Sequence, residues 1–115
     1  QAEMETGWFK NSYGDWYYLD PVNGDMKTGW RFINQKWYYL RPEKDDRCGA
    51  MLSNGIMQIG KEQYYFDNSG AMRTGWISLQ ESGNTVYYYF REDGAMAKNT
   101  TISGFRLNER GPGVK

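Results

Sequence analysis

The sequence predicts an all-β fold, a solenoid of stacked β-hairpins. Three observations lead there. A three-block motif recurs in steps of 22, 25, 21 and 24 residues, and a near-fixed period of this size marks repeat architectures. Aromatic residues form 17% of a chain whose mean hydropathy is −0.86, so the rings are too many, and the chain too polar, for one thick core. Tyrosine (10) and glycine (14) abound, a pairing that suits short strands and tight turns.

The blocks run as follows. Thr6-Gly7-Trp8 recurs as Thr28-Gly29-Trp30 and Thr74-Gly75-Trp76, with a degenerate copy at Ser53-Asn54-Gly55-Ile56. A second block follows each start: Trp16-Tyr17-Tyr18-Leu19, Trp37-Tyr38-Tyr39-Leu40, Gln63-Tyr64-Tyr65-Phe66 and Tyr87-Tyr88-Tyr89-Phe90. A third closes each copy: Gly24-Asp25-Met26, Gly49-Ala50-Met51, Gly70-Ala71-Met72 and Gly94-Ala95-Met96. Residues 1–115 therefore read as a single repeat module, with units at about 6–27, 28–52, 53–73 and 74–97 and a truncated capping unit at 98–115.

Within each unit, the segment after Gly-Trp and the segment around Tyr-Tyr are β-prone and alternate, which predicts two strands. Turn residues such as Asn34-Gln35-Lys36 and Ser82-Gly83-Asn84 lie between them. A polar loop follows the second strand, as in Asp67-Asn68-Ser69-Gly70, and the second unit has a longer charged one, Arg41 to Arg47, expected to bulge from the surface. A lone hairpin is marginal in water, so the units must stack and bury rings on one another. The fifth unit lacks tryptophan and pairs Asn99-Thr100-Thr101-Ile102 with Gly104-Phe105-Arg106-Leu107, as a cap would. The tail Gly111-Pro112-Gly113 is expected to be loosely held.

Lys+Arg and Asp+Glu balance at 14 each, and no basic tract suggests nucleic acid or anionic lipid. No apolar run is long enough for membrane insertion or a signal peptide; a signal sequence is expected to have been removed or to lie upstream. Cys48 is the sole cysteine and there is no histidine, which rules out an internal disulfide and a Cys-His nucleophile. Few cysteines suit a Gram-positive exterior. The carboxylates Asp20, Asp25, Asp45, Asp46, Asp67 and Asp93 are scattered over turns without ligand spacing, and the glycines punctuate turns without forming a phosphate-cradling loop. No catalytic residue, metal or cofactor is expected, and no convergent acid-base pair can be named.

These residues resemble the choline-binding, or cell-wall-binding, repeats of Gram-positive surface proteins. The family pattern is Thr-Gly-Trp, then Trp-Tyr-Tyr-Leu/Phe about seven residues on, then Gly-x-Met. The likeness covers roughly residues 6–110. The second unit fits best, with Trp30 and Trp37 seven apart, and the first carries one extra residue between Trp8 and Trp16. The resemblance implies a left-handed solenoid of hairpins, secreted and wall-associated. Its ligand would be choline on teichoic or lipoteichoic acid, and its role to anchor an effector domain of the same full-length chain.

It also implies the sites. Two tryptophans of one repeat and a tyrosine of the next would wall each cage. That gives Trp8, Trp16 and Tyr39 for the first box and Trp30, Trp37 and Tyr65 for the second, with Met26 and Met51 as floor. A third box would use Trp76 and Tyr87, with Phe105 as the nearest closing wall; the third unit has Ile56 and Gln63 in place of the tryptophans. Tyr17, Tyr38, Tyr64 and Tyr88 are expected to be mainly structural. A tryptophan in a small β protein is usually core, and methionines usually pack. Two other functions stay open. One is a glucan or cell-surface glycan module, like the repeats of glucosyltransferases and clostridial toxins. The other is a structural or adhesive spacer with its rings sealed inside.

Overall fold

A computed structural model describes residues 6–114, and every regular element among them is a strand. The strands are β1 (Gly7–Lys10), β2 (Trp16–Leu19), β3 (Gly29–Ile33), β4 (Lys36–Leu40), β5 (Gly55–Ile59) and β6 (Glu62–Phe66). They continue with β7 (Met72–Arg73), β8 (Gly75–Glu81), β9 (Asn84–Phe90), β10 (Thr100–Ile102), β11 (Phe105–Leu107) and β12 (Gly113–Val114). The pairs β1–β2, β3–β4, β5–β6, β8–β9 and β10–β11 are antiparallel hairpins. Asn34 and Gln35 take φ of 51° and 68°, and Ser82 and Gly83 take 52° and 81°. Two successive left-handed residues form the tight turn whose twist matches that of the flanking strands.

The chain divides into two compact units, Gln1–Ser53 with Asn68–Ala71, and Asn54–Asp67 with Met72–Lys115. In the first, β1–β2 and β3–β4 stack on each other. The Met51 N–H donates to the Trp16 carbonyl across 2.9 Å, and the Trp8 ring stands edge-on to Tyr38 with centroids 4.9 Å apart. Leu40 and Ala50 are fully buried. The charged loop after β4 is braced internally and tied to the first hairpin. Arg41 donates two hydrogen bonds to the Asp45 carboxylate, and Arg47 donates to Asp15 of the first hairpin at 2.8 and 3.3 Å.

The second unit repeats the device. Met96 N–H donates to the Gln63 carbonyl at 2.8 Å, and Tyr65 and Phe90 lie 6.1 Å apart. Tyr88, Phe90 and Met96 form the buried cluster, with Ile56, Tyr65, Ile77, Leu79 and Val86 packed around it. The expectation of a loose tail is corrected here. β12 is hydrogen-bonded between β11 and β9, in the order β10-β11-β12-β9-β8, and Gly111 is buried against Met96. The physical reason is the edge of β9, whose backbone groups need partners that the short cap hairpin does not supply.

A recurring lock joins the third block of one repeat to the glycine of the next. Met26 sits on Gly49, Met51 on Gly70, Met72 on Gly94 and Met96 on Gly111, each so close that a Cβ on the glycine would run into the sulfur.

Tyr88 gives the second unit a testable response to alkali. Burial, reinforced by its hydrogen bond to the Glu81 carboxylate, pushes the phenol from its usual 10 up to about 12. A raised folded-state value means the native unit holds the proton after the unfolded chain has released it. The stabilisation is therefore complete below pH 10 and is lost as pH rises to about 12. Urea unfolding between those limits should show a steeper loss of stability in the wild type than in Tyr88→Phe.

Candidate functional site

Strand alternation decides which rings can meet. In the first hairpin Trp8 lies opposite Tyr18 and Lys10 opposite Trp16, so these four share one face while Phe9 and Tyr17 share the other. In the second, Trp30 lies opposite Tyr39 and Phe32 opposite Trp37, and the opposite face carries Arg31 and Tyr38. The tryptophan face of the first hairpin looks onto the opposite face of the second. The ring that completes it is thus Tyr38. Together they line an open hollow of about 310 Å³ with Trp8, Trp16, Tyr38, Met51, Asn68 and Ser69, a volume at the small end for ligand pockets. Trp8 is braced edge-on by Tyr18 at 5.1 Å and by Tyr38 at 4.9 Å. Trp16 keeps 38% of its surface exposed.

Three aromatic side chains and a thioether line this space, and none of the lining residues is charged. Such a site suits a weakly hydrated cation held against ring quadrupoles. Nothing in the lining offers a nucleophile paired with a base.

Two assigned residues lie elsewhere. Tyr39 shares the face of Trp37 and packs edge-on against Trp30 at 5.1 Å, within its own hairpin; it cannot also point back toward Trp8. Met26 does not floor this hollow. Paired with Leu19, it borders a second, apolar hollow of about 360 Å³ with Phe9, Asn11, Tyr17 and Leu19. The floor comes instead from Met51 of the following repeat, whose N–H reaches back to Trp16. Asn68 and Ser69 were not foreseen; a polar loop gives no periodic signal of what it covers. Tyr38 could have been found, because the alternation that puts Tyr39 beside Trp37 puts Tyr38 on the opposite face.

The other assigned rings fall in two places. Trp30 and Trp37 lie in the first unit, 6.3 Å apart, with Phe32 5.2 Å from Trp37. Tyr65 lies in the second unit, its ring against Phe90. Trp76 and Tyr87 stand on one face of β8–β9, and Phe105 approaches both, at 5.0 and 5.6 Å. Phe105 precedes the buried Leu107 by two residues, as Tyr38 precedes the buried Leu40. The cap thus offers a ring at the register position that closes the first hollow.

Comparison with known proteins gives a consistent outcome. A family model described as a choline-binding repeat matches residues 53–101, and one described as a putative cell wall binding repeat matches 6–26 and 28–42. Among solved structures, choline binding protein F from Streptococcus pneumoniae, crystallised in the presence of a peptidoglycan analogue, is 45% identical over 96% of this chain with a TM-score of 0.80. The match spans 34% of that protein. Among curated sequences, glucosyltransferase-S of Streptococcus mutans is 33% identical over 95 residues, and glucosyltransferase-I of Streptococcus downei 34% over 94. Those matches take in 82% and 78% of this chain but only 6% and 5% of the two glucosyltransferases.

Proposed function

The chain belongs to the choline-binding repeat family, a class of cell-wall-binding modules, and on that premise we propose that it is a non-catalytic module gripping choline on teichoic or lipoteichoic acid. The observation that carries the reading is the hollow walled by Trp8 and Trp16 of one hairpin and Tyr38 of the next, floored by Met51. A trimethylammonium group cannot donate a conventional hydrogen bond, so ring faces are the means of holding it. At about 1 kcal/mol per ring, plus methyl burial, a single cage reaches roughly millimolar affinity. A wall polymer bearing many cholines turns such weak sites into firm attachment through avidity. Trp76, Tyr87 and Phe105 are the candidates for a further site in the second unit. The module would act outside the cell and fasten an effector domain of the same polypeptide to the wall.

A choline titration followed through the indole resonances tests this. The Trp8 and Trp16 signals should shift together and saturate. Tyr38→Ala should weaken binding about five- to tenfold, as expected for one ring lost from a cage, while Tyr39→Ala leaves this site nearly unchanged. A titration in which Tyr39→Ala is the damaging variant removes the cage as drawn.

A glycan reading has its own support, in the glucosyltransferase relatives and in Asn68 and Ser69, which place an amide and a hydroxyl beside the rings. Sugar sites pair ring stacking with such polar groups. Glucan oligomers that shift the same resonances where choline shifts none would favour it.

A further inference from the structure

The first hollow has a cation at its rim that the corresponding positions of the other hairpins lack. Lys10 lies across the ladder from Trp16, with its Nζ 5.9 Å from the indole centroid. The position facing the second-block residue is Phe32 in the second hairpin, Gln58 in the third and Ser78 in the fourth. Lys10 is exposed and is not among the residues lining the hollow; it shares the face of the hairpin that carries Trp8 and Trp16, and its ammonium stands beside the Trp16 wall. No ion pair of Lys10 occurs among the described residues. The carboxylate nearest in sequence to Trp16, Asp15, is already engaged by Arg47 at 2.8 Å. The Trp16 wall is therefore flanked by two cations and one carboxylate.

For a bare quaternary amine this arrangement is unfavourable. A like charge beside the Trp16 wall repels a second cation held against the same ring. For a zwitterion it is favourable. In a phosphocholine group two carbons and an oxygen separate the nitrogen from the phosphorus, so a trimethylammonium held between the rings leaves its phosphate at the mouth. Resting on the cage reading above, we propose that Lys10 makes this site selective for choline carried as a phosphate ester over free choline. The rings bind the cation and the Lys10 ammonium meets the anion. Lys10 is a specificity residue in this scheme, and the second-unit ring cluster, with Ser78 at the matching position, has no such preference.

The test compares choline and phosphocholine titrations of the wild type, Lys10→Gln and Lys10→Glu, read on the Trp16 indole resonance. The wild type should prefer phosphocholine several-fold. Lys10→Gln should bring the two affinities together by weakening phosphocholine and slightly tightening choline, and Lys10→Glu should reverse the order. An unchanged ratio in Lys10→Gln, or an equal gain for both ligands, overturns the proposal; the equal gain would mark Lys10 as a mere competitor for the ring. If neither ligand shifts the wild-type resonances, the cage reading fails and this one with it. Retention on phosphocholine-agarose alone would assign a water-exposed ester, and retention also on phosphatidylcholine vesicles would extend the ligand class to a lipid headgroup. Retention on neither overturns the selectivity.

Discussion

Phe90→Ala should cost about 3–5 kcal/mol, the range for truncating a buried phenylalanine, and should unfold the second unit at modest urea concentrations. Phe90 has no exposed surface. Its ring lies 6.1 Å from Tyr65 and 6.5 Å from Tyr88, and its backbone bridges to Met96. It therefore joins β9 to β6 and to the closing methionine at once. The residues around it sit on paired strands and the Tyr rings that flank it are anchored by their own ladders, so the cavity cannot collapse cheaply. A domain of this size holds only about 5–15 kcal/mol in reserve, which makes such a loss a large share. Amide exchange should rise through β5, β6, β8 and β9. Phe90→Leu keeps most of the volume and should cost under about 1.5 kcal/mol. A Phe90→Ala protein within 1 kcal/mol of wild type would mean that the ring is not the keystone of that cluster.

The strands were readable because the repeat shows them four times. A Trp-Tyr-Tyr block beside a Gly-Trp block has one workable local solution, a hairpin, and the turn residues agree with it. The ring pairs of each tryptophan face were readable for the same reason. What the repeat could not state is which face of one hairpin meets which face of the next. That depends on the stacking, which is held by contacts 30 residues or more apart, such as Met51 with Trp16 and Arg47 with Asp15. The misplacement of Tyr39 and Met26 follows directly from that gap. The β12 strand was hidden for another reason. It is only two residues, Gly113–Val114, behind the turn residues Gly111 and Pro112, and it pairs because the β9 edge offers unsatisfied partners, a tertiary cause invisible in local composition.

Gly70→Ala carries the second large effect, and it links the fold to the cage. Gly70 has a φ of +89° and sits on the Met51 side chain, where a Cβ would overlap the sulfur. Two penalties follow. The left-handed backbone costs an L-residue on the order of 1–2 kcal/mol, and forcing Met51 aside adds about 1–3 kcal/mol of overpacking. Gly29→Ala separates them. Its φ is +80° and a Cβ there meets nothing within 4 Å, so it bears the first penalty alone. Because Met51 floors the hollow between Trp8, Trp16 and Tyr38, Gly70→Ala should also weaken choline binding there several-fold, and Gly29→Ala should not. The decisive measurement is the double variant Met51→Ala with Gly70→Ala. Removing the thioether relieves the overlap, so the pair should be more stable than the sum of the two single losses by about 1 kcal/mol or more, the coupling expected of side chains in direct contact. Strict additivity would mean that the methionine is not wedged against the glycine. The spacing of the rings would then have to be set by the backbone bonds alone.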